Sequence, residues 1–153
     1  MVCCFTGHRN IPAGEAEQIR FRLLETIETL VKQGVTEFRA GGALGFDTMA
    51  AMAVLQVRDK YPDISLVLIL PCKDQDKSWR EIDKLRYKEI IAHADKVQVL
   101  AEHYYRGCMF VRNRALVDGS DFCIAFLREN AGGTKMTVTY AEKQHLQIIN
   151  LGE

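Results

Sequence analysis

An α/β domain, built as a doubly wound, Rossmann-like and mostly parallel sheet of about six strands flanked by helices, is predicted for this chain by three observations. Short runs rich in β-branched and aromatic residues alternate along its length with longer stretches of three- and four-residue apolar spacing. Two of the short runs, Leu66 to Leu70 and Phe122 to Phe126, are apolar without alternation, as expected of strands covered by helices on both faces. Glycine-bearing turns follow three of the strands, and a doubly wound sheet gathers its strand-to-helix loops along one edge.

The first strand is Val2 to Thr6. Ala16, Ile19, Leu23, Ile27, Leu30 and Val31 then share one helical face, and Gly34 ends that helix. The second strand, Glu37 to Ala40, leads to a helix from Phe46 to about Asp59, which sets Phe46, Met49, Ala50, Ala53, Val54 and Val57 on one side and stops before Pro62. After the third strand, Ser65 to Leu70, Ser78-Trp79-Arg80-Glu81 reads as a capping box opening a helix that runs to His93. Trp79 is expected to be partly buried. The fourth strand is Lys96 to Leu100, the next helix Cys108 to Val117, the fifth strand Asp121 to Phe126, the last helix Lys135 to Gln144 and the sixth strand Gln147 to Asn150. No long linker or repeat interrupts this order, so residues 1–153 read as one domain.

Composition narrows the function classes. With 20 Lys+Arg against 20 Asp+Glu, the chain has no excess charge to attract nucleic acid or anionic lipid, although a local basic patch stays open. No apolar run approaches the ~20 residues that span a bilayer. With no charged-then-apolar leader at the N-terminus, a cytoplasmic protein is expected. Five cysteines, without a C-x-x-C or a His-x-x-x-His pattern, argue against a disulfide framework and against a zinc site. Cys3, Cys4 and Cys123 lie in apolar runs and read as small buried hydrophobes.

Three loops carry the chemistry. In Thr6-Gly7-His8-Arg9, Gly7 permits an unusual backbone path, Thr6 brings a hydroxyl and Arg9 a planar two-pronged donor for phosphate or carboxylate. Gly41-Gly42-Ala43-Leu44-Gly45-Phe46-Asp47 puts three glycines at a helix start, where main-chain amides and the helix dipole favour an anion. Asp47 either caps that helix or accepts from a ribose or base. Ala131-Gly132-Gly133-Thr134 again places glycines before a helix, with Thr134 either capping it or donating to phosphate. On the helix before the fifth strand, Arg112 lies on a largely apolar face beside Asn113 and needs an anionic partner, either an internal carboxylate or a ligand phosphate. The candidate binding residues are therefore Thr6, Gly7, His8, Arg9, Gly41, Gly42, Ala43, Gly45, Asp47, Arg112, Asn113, Gly132, Gly133 and Thr134, with no metal ligand among them.

Several nucleotide and hydrolase signatures are absent. There is no G-x-x-x-x-G-K-[ST] phosphate loop, no G-x-G-x-x-G after the first strand and no G-x-S-x-G elbow.

Taken in order, Thr6-Gly7-His8-Arg9, Gly41 to Asp47, Arg112-Asn113, Val117-Asp118-Gly119-Ser120-Asp121 and Gly132-Gly133-Thr134 resemble the SLOG superfamily. That superfamily includes the DNA-processing protein DprA (Smf), the LOG cytokinin-activating proteins and the YpsA-like proteins of unknown function; this chain is most similar to the YpsA-like branch. The resemblance implies binding or sensing of a nucleotide or a nucleotide-derived, ADP-ribose-like phosphorylated ligand, with no required cofactor. Its alternatives are a LOG-like phosphoribohydrolase that cleaves a nucleoside monophosphate, and a DprA-like single-stranded DNA binder or adaptor. A homo-oligomer is compatible with each. In the LOG signature P-G-G-x-G-T-x-x-E a glutamate follows the threonine by three residues; here that position is Thr137, and Glu142 lies about 12 Å farther along the helix than Thr134. The resemblance therefore favours binding over that particular hydrolysis.

Overall fold

Strict alternation of side chains along a strand sorts the core. In β1 (Val2–Gly7), Cys3 and Phe5 serve one face, and Cys4 and Thr6 the other. In β3 (Ser65–Leu70), Leu66, Leu68 and Leu70 join the first face while Val67 and Ile69 join the second. The remaining strands of this computed structural model, which describes residues 1–153, are β2 (Glu37–Ala40), β4 (Lys96–Val99), β5 (Phe122–Phe126) and β6 (Gln147–Asn150). They form one sheet in the order β4-β3-β2-β1-β5-β6. Every pairing is parallel, so the mostly parallel sheet read from the sequence is wholly parallel.

Right-handed crossovers convert that order into two helical layers. From β1 to β4 the chain steps in one direction and lays α1 (Ala16–Lys32), α2 (Phe46–Lys60) and α3 (Glu81–His93) on the first face. From β4 it crosses to β5 and continues to β6, which sends α4 (Cys108–Val117) and α5 (Gly133–Lys143) to the second. The first layer holds the larger core, in which Phe5, Phe38, Phe46 and Phe126 meet Leu23, Ile27 and Leu30 of α1. The second is smaller, with Cys4, Cys123 and Ala125 under Leu116, Val138 and Ala141. All five cysteines are buried free thiols.

The start of α3 departs from expectation. Ser78 does not open a capping box; it lies in a turn where the Trp79 amide donates to the Asp76 carbonyl. Arg80, with extended backbone, precedes the helix, and the Glu81 carboxylate stands 3.8 Å from Lys84 instead of reaching back. Tertiary contacts override the local signal. The Trp79 ring meets Tyr87 edge-on at 5.0 Å, and Gln75 donates to the Tyr87 hydroxyl, which folds the segment over α3. Trp79 is half-buried against the core, as its position suggested.

Candidate functional site

β1 and β5 are neighbours, yet the chain leaves them toward opposite faces. A crevice opens between the loops at their carboxyl ends, the place where doubly wound sheets bind ligands. The cavity there has a volume of about 280 Å³. Its walls come from Thr6, Gly7, His8 and Arg9 after β1, from Ala43 and Asp47 at the start of α2, from Arg112 and Asn113 on α4, and from Gly132, Gly133 and Thr134 before and within α5. Four separated stretches of sequence thus converge on one space. Phe5, Met109, Leu116, Glu129 and Ala131 complete the lining and were not singled out by sequence reasoning.

Gly41, Gly42 and Gly45 do not line the cavity, because the protein's own groups use the room they leave. A Cβ on residue 41 would stand 2.7 Å from Arg112 Nη1, and one on residue 42 would stand 2.7 Å from Leu70 Cδ2. At Gly45 the backbone is left-handed, with φ 79°, and a Cβ would approach the Arg9 carbonyl oxygen to 2.1 Å. Gly7 lines the cavity, yet on its other side it meets Phe46 just as closely. At the start of α2 the protein already uses part of the expected anion seat: the Phe46 amide donates to the His8 carbonyl at 3.1 Å, and the Ala43 amide in the preceding loop donates to Asp47 at 3.3 Å, which sets a carboxyl group there. The three glycines of the second loop therefore serve close packing between loops, while Ala43 and Asp47 of the same stretch face the cavity.

The start of α5 is different. Gly132 precedes the helix with no side-chain cap, and Thr134 does not cap it either. The first amides of a helix have no intrahelical acceptor, and those of Gly133 and Thr134 belong to residues that line the cavity. Nothing lies within 4 Å of where a Cβ on Gly132 or Gly133 would be. Of the two glycine-led helix starts that contribute to the cavity, this is the more open one.

Two buried charges face the same space. Arg112 is 4% exposed and makes no ion pair. Its Nη1 donates to the Gly41 carbonyl at 2.5 Å and to Gln75 Oε1 at 3.4 Å, its Nε donates to Asn113 Oδ1 at 2.9 Å, and its Nη2 reaches only Met109 Sδ at 3.6 Å. Neutral acceptors thus hold the guanidinium where the sequence left a carboxylate or a ligand open. Burial pushes its pKa down, and nearby Asp47 opposes that shift. Asp47 is 6% exposed; burial pushes its carboxyl pKa up, while Arg112, the Ala43 amide and Arg9 draw it down. Arg9, exposed at the rim, has no side-chain partner, and the Thr6 hydroxyl makes no bond within the protein.

Long-range contacts that no local pattern announces set the third loop. His8 Nε2 accepts from the Arg128 amide at 2.9 Å and from the Glu129 amide at 3.4 Å, so one ring nitrogen serves both amides. Arg128 makes a two-pronged pair with Glu15 at 2.8 and 2.6 Å, and its Nε donates to the Gly152 carbonyl. The loop between β5 and α5 is thereby tied to the β1 side of the crevice.

A wholly parallel, doubly wound sheet with a polar cavity at its switch point defines a Rossmann-like domain. Residues 3–150 match the YspA SLOG family (YpsA), and the chain belongs to that family. Among curated proteins it is 30% identical over 142 residues to the uncharacterized SPbeta prophage-derived protein YoqJ of Bacillus subtilis, covering 84% of this chain and 83% of YoqJ. It is 26% identical over 156 residues to the UPF0398 protein YpsA of the same organism, covering 95% and 87% of the two chains. Among solved structures, DNA processing protein A from Helicobacter pylori superposes with a TM-score of 0.67 at 21% identity, and that from Streptococcus pneumoniae with 0.69 at 17%. These share the fold. The match covers 98% and 97% of this chain but 64% and 49% of theirs. No helix is long and apolar enough to cross a membrane.

Proposed function

We propose that this protein binds a nucleotide or nucleotide-derived ligand through its phosphate, seated between the open start of α5 and the guanidinium groups of Arg112 and Arg9. The observation that carries this reading is Arg112: a buried cation without a carboxylate partner, its Nη2 left with donor capacity on a cavity that also receives unpaired helix-start amides. Desolvating a cation is costly, and an incoming phosphate would offset that cost where carbonyls do so only in part. Calorimetric titration of the chain with AMP, ADP-ribose, ribose 5-phosphate and pyrophosphate tests the reading. Saturable binding that Arg112→Met weakens in a folded variant is expected; no binding of any of the four would end it.

Asp47 favours a second reading, cleavage of an N-glycosidic bond. A buried carboxyl with a raised pKa beside an anion seat has the properties of a general acid or base. Chromatography of a bound nucleoside monophosphate for free base and ribose 5-phosphate decides it: absence of turnover leaves Asp47 a binding residue.

The solved DNA processing proteins superpose on this chain, and the report on the Helicobacter pylori protein concerns its single-stranded DNA binding mode. Here the formal charge is balanced and Glu129 stands in the cavity lining, so a small phosphorylated ligand is favoured over a strand.

A further inference from the structure

Beside the cavity lies a second, predominantly apolar groove between α4 and α5, lined by Phe110, Asn113, Arg114, Met136, Thr137 and Tyr140. Phe110 and Met136, one from each helix, are 48% and 54% exposed, an unusual position for two large apolar side chains at the mouth of a polar site. We infer that this groove receives the heteroaromatic base of a nucleoside 5′-phosphate whose phosphate occupies the adjoining cavity. The inference rests on the function proposed above and deepens it by assigning the base its own subsite.

Continuity commits the groove to that occupant. Asn113 lines both spaces, and both helices run from one into the other: α4 gives Arg112 to the cavity and Phe110 to the groove, and α5 gives Thr134 to the cavity and Met136 to the groove. Asn113 is oriented at this junction. Its Oδ1 accepts from Arg112 Nε, while its amide nitrogen has no partner in the protein and is free to donate to a sugar oxygen or a ring acceptor. The far wall is set in advance. The Tyr140 hydroxyl donates to Asp118 at 2.6 Å, and the Arg114 guanidinium lies over the Tyr140 ring at 5.0 Å, so this wall combines an aromatic ring and a guanidinium, two groups on which bases stack. Thr137 spends its hydroxyl on the Gly133 carbonyl at 2.8 Å, leaving its methyl as the apolar part of the wall. A charged head held in the cavity and a planar apolar group in the groove match the two chemistries of a mononucleotide.

The test uses the intact chain, titrated with AMP and with ribose 5-phosphate, in the wild type and in Phe110→Ser, Met136→Ser and Arg112→Met variants, alongside sedimentation of each. AMP is expected to bind about tenfold or more tighter than ribose 5-phosphate, the scale of one base stacked on an aromatic surface. Phe110→Ser and Met136→Ser, both at exposed positions, should erase that margin and leave ribose 5-phosphate binding unchanged, whereas Arg112→Met should weaken both ligands. Equal affinity of the two ligands for the wild type would overturn the base subsite and leave the phosphate seat standing. Failure of both ligands to bind would remove the phosphate seat, and the subsite with it. A wild-type dimer that Phe110→Ser separates would show the groove to be an interface between two copies, and would overturn the assignment.

Discussion

The Arg112 guanidinium occupies the space that a side chain on residue 41 would need. Nη1 takes the Gly41 carbonyl as its acceptor at 2.5 Å, and a Cβ on Gly41 would stand 2.7 Å from that same nitrogen. Glycine at 41 and arginine at 112 are therefore one structural choice made at two distant points of the chain. Gly41→Ala should push Arg112 out of its seat, at a cost of about 1–3 kcal/mol for overpacking a dense interior. Although residue 41 does not line the cavity, pyrophosphate binding should fall with it. Urea denaturation and calorimetry check the two effects; an alanine variant with unchanged affinity would mean that Arg112 does not set the anion site.

Arg112 itself separates charge from geometry. Arg112→Met removes the cation, and Arg112→Lys keeps it while losing the planar fork that reaches Gly41 and Asn113 together. Loss of a charged hydrogen bond, about 1.5–3 kcal/mol, predicts ~10-fold to 100-fold weaker phosphate binding for the methionine variant, with lysine intermediate. If the folded fraction of either variant bound phosphate as the wild type does, the role of Arg112 would be packing alone.

Asp47 gives a pH-dependent stability with a defined sign. Its folded pKa is raised, mainly by burial, above the ~3.9 of an unfolded aspartate, so its favourable contribution is complete below about pH 4 and is lost as pH rises through the folded value. As pH rises through that value, ionising the carboxyl carries the cost of its burial. Asp47→Asn keeps an acceptor for the Ala43 amide and should therefore raise the urea midpoint at pH 7, with the gain shrinking below about pH 4. A destabilised asparagine variant at pH 7 would mean that Arg112 outweighs desolvation.

His8 links the two sides of the crevice. Removing its ring in His8→Ala deprives the Arg128 and Glu129 amides of their common acceptor. Hydrogen exchange at these two amides should speed up while exchange in β1 and β5 stays slow. Unchanged protection would show that the Arg128–Glu15 pair alone orders the loop.

Much of the fold was legible in the sequence, because unbroken apolar runs such as Phe122 to Phe126 admit few environments other than a strand covered on both faces. The loops around the crevice were legible for the same reason: strand-to-helix turns in a parallel sheet share one edge. What each residue does there was not. Ser78 and Glu81 have capping-box spacing, but the contact of Trp79 with Tyr87 decides where α3 begins. Nor does a glycine reveal which neighbour needs its missing side chain, so Gly41, Gly42 and Gly45 read as ligand contacts when Arg112, Leu70 and Arg9 fill those spaces. The pairing of Arg128 with Glu15 spans 113 positions and leaves no local trace.

That distinction among glycines should separate folding from binding. Gly45 combines a positive φ with a backbone oxygen 2.1 Å from where its Cβ would lie, whereas Gly133 opens α5 in ordinary backbone with nothing within 4 Å. Gly45→Ala should therefore unfold the chain at lower urea and leave too little native protein for meaningful titration. Gly133→Ala should fold at least as well as the wild type, since alanine is favoured over glycine within a helix by about 1 kcal/mol. Its new methyl group would sit beside the open α5 amides, so phosphate affinity should drop in a protein whose stability has not. A Gly133→Ala variant that binds pyrophosphate with wild-type affinity would place the anion away from the start of α5, and would leave Arg9 and Arg112 to hold it without the helix.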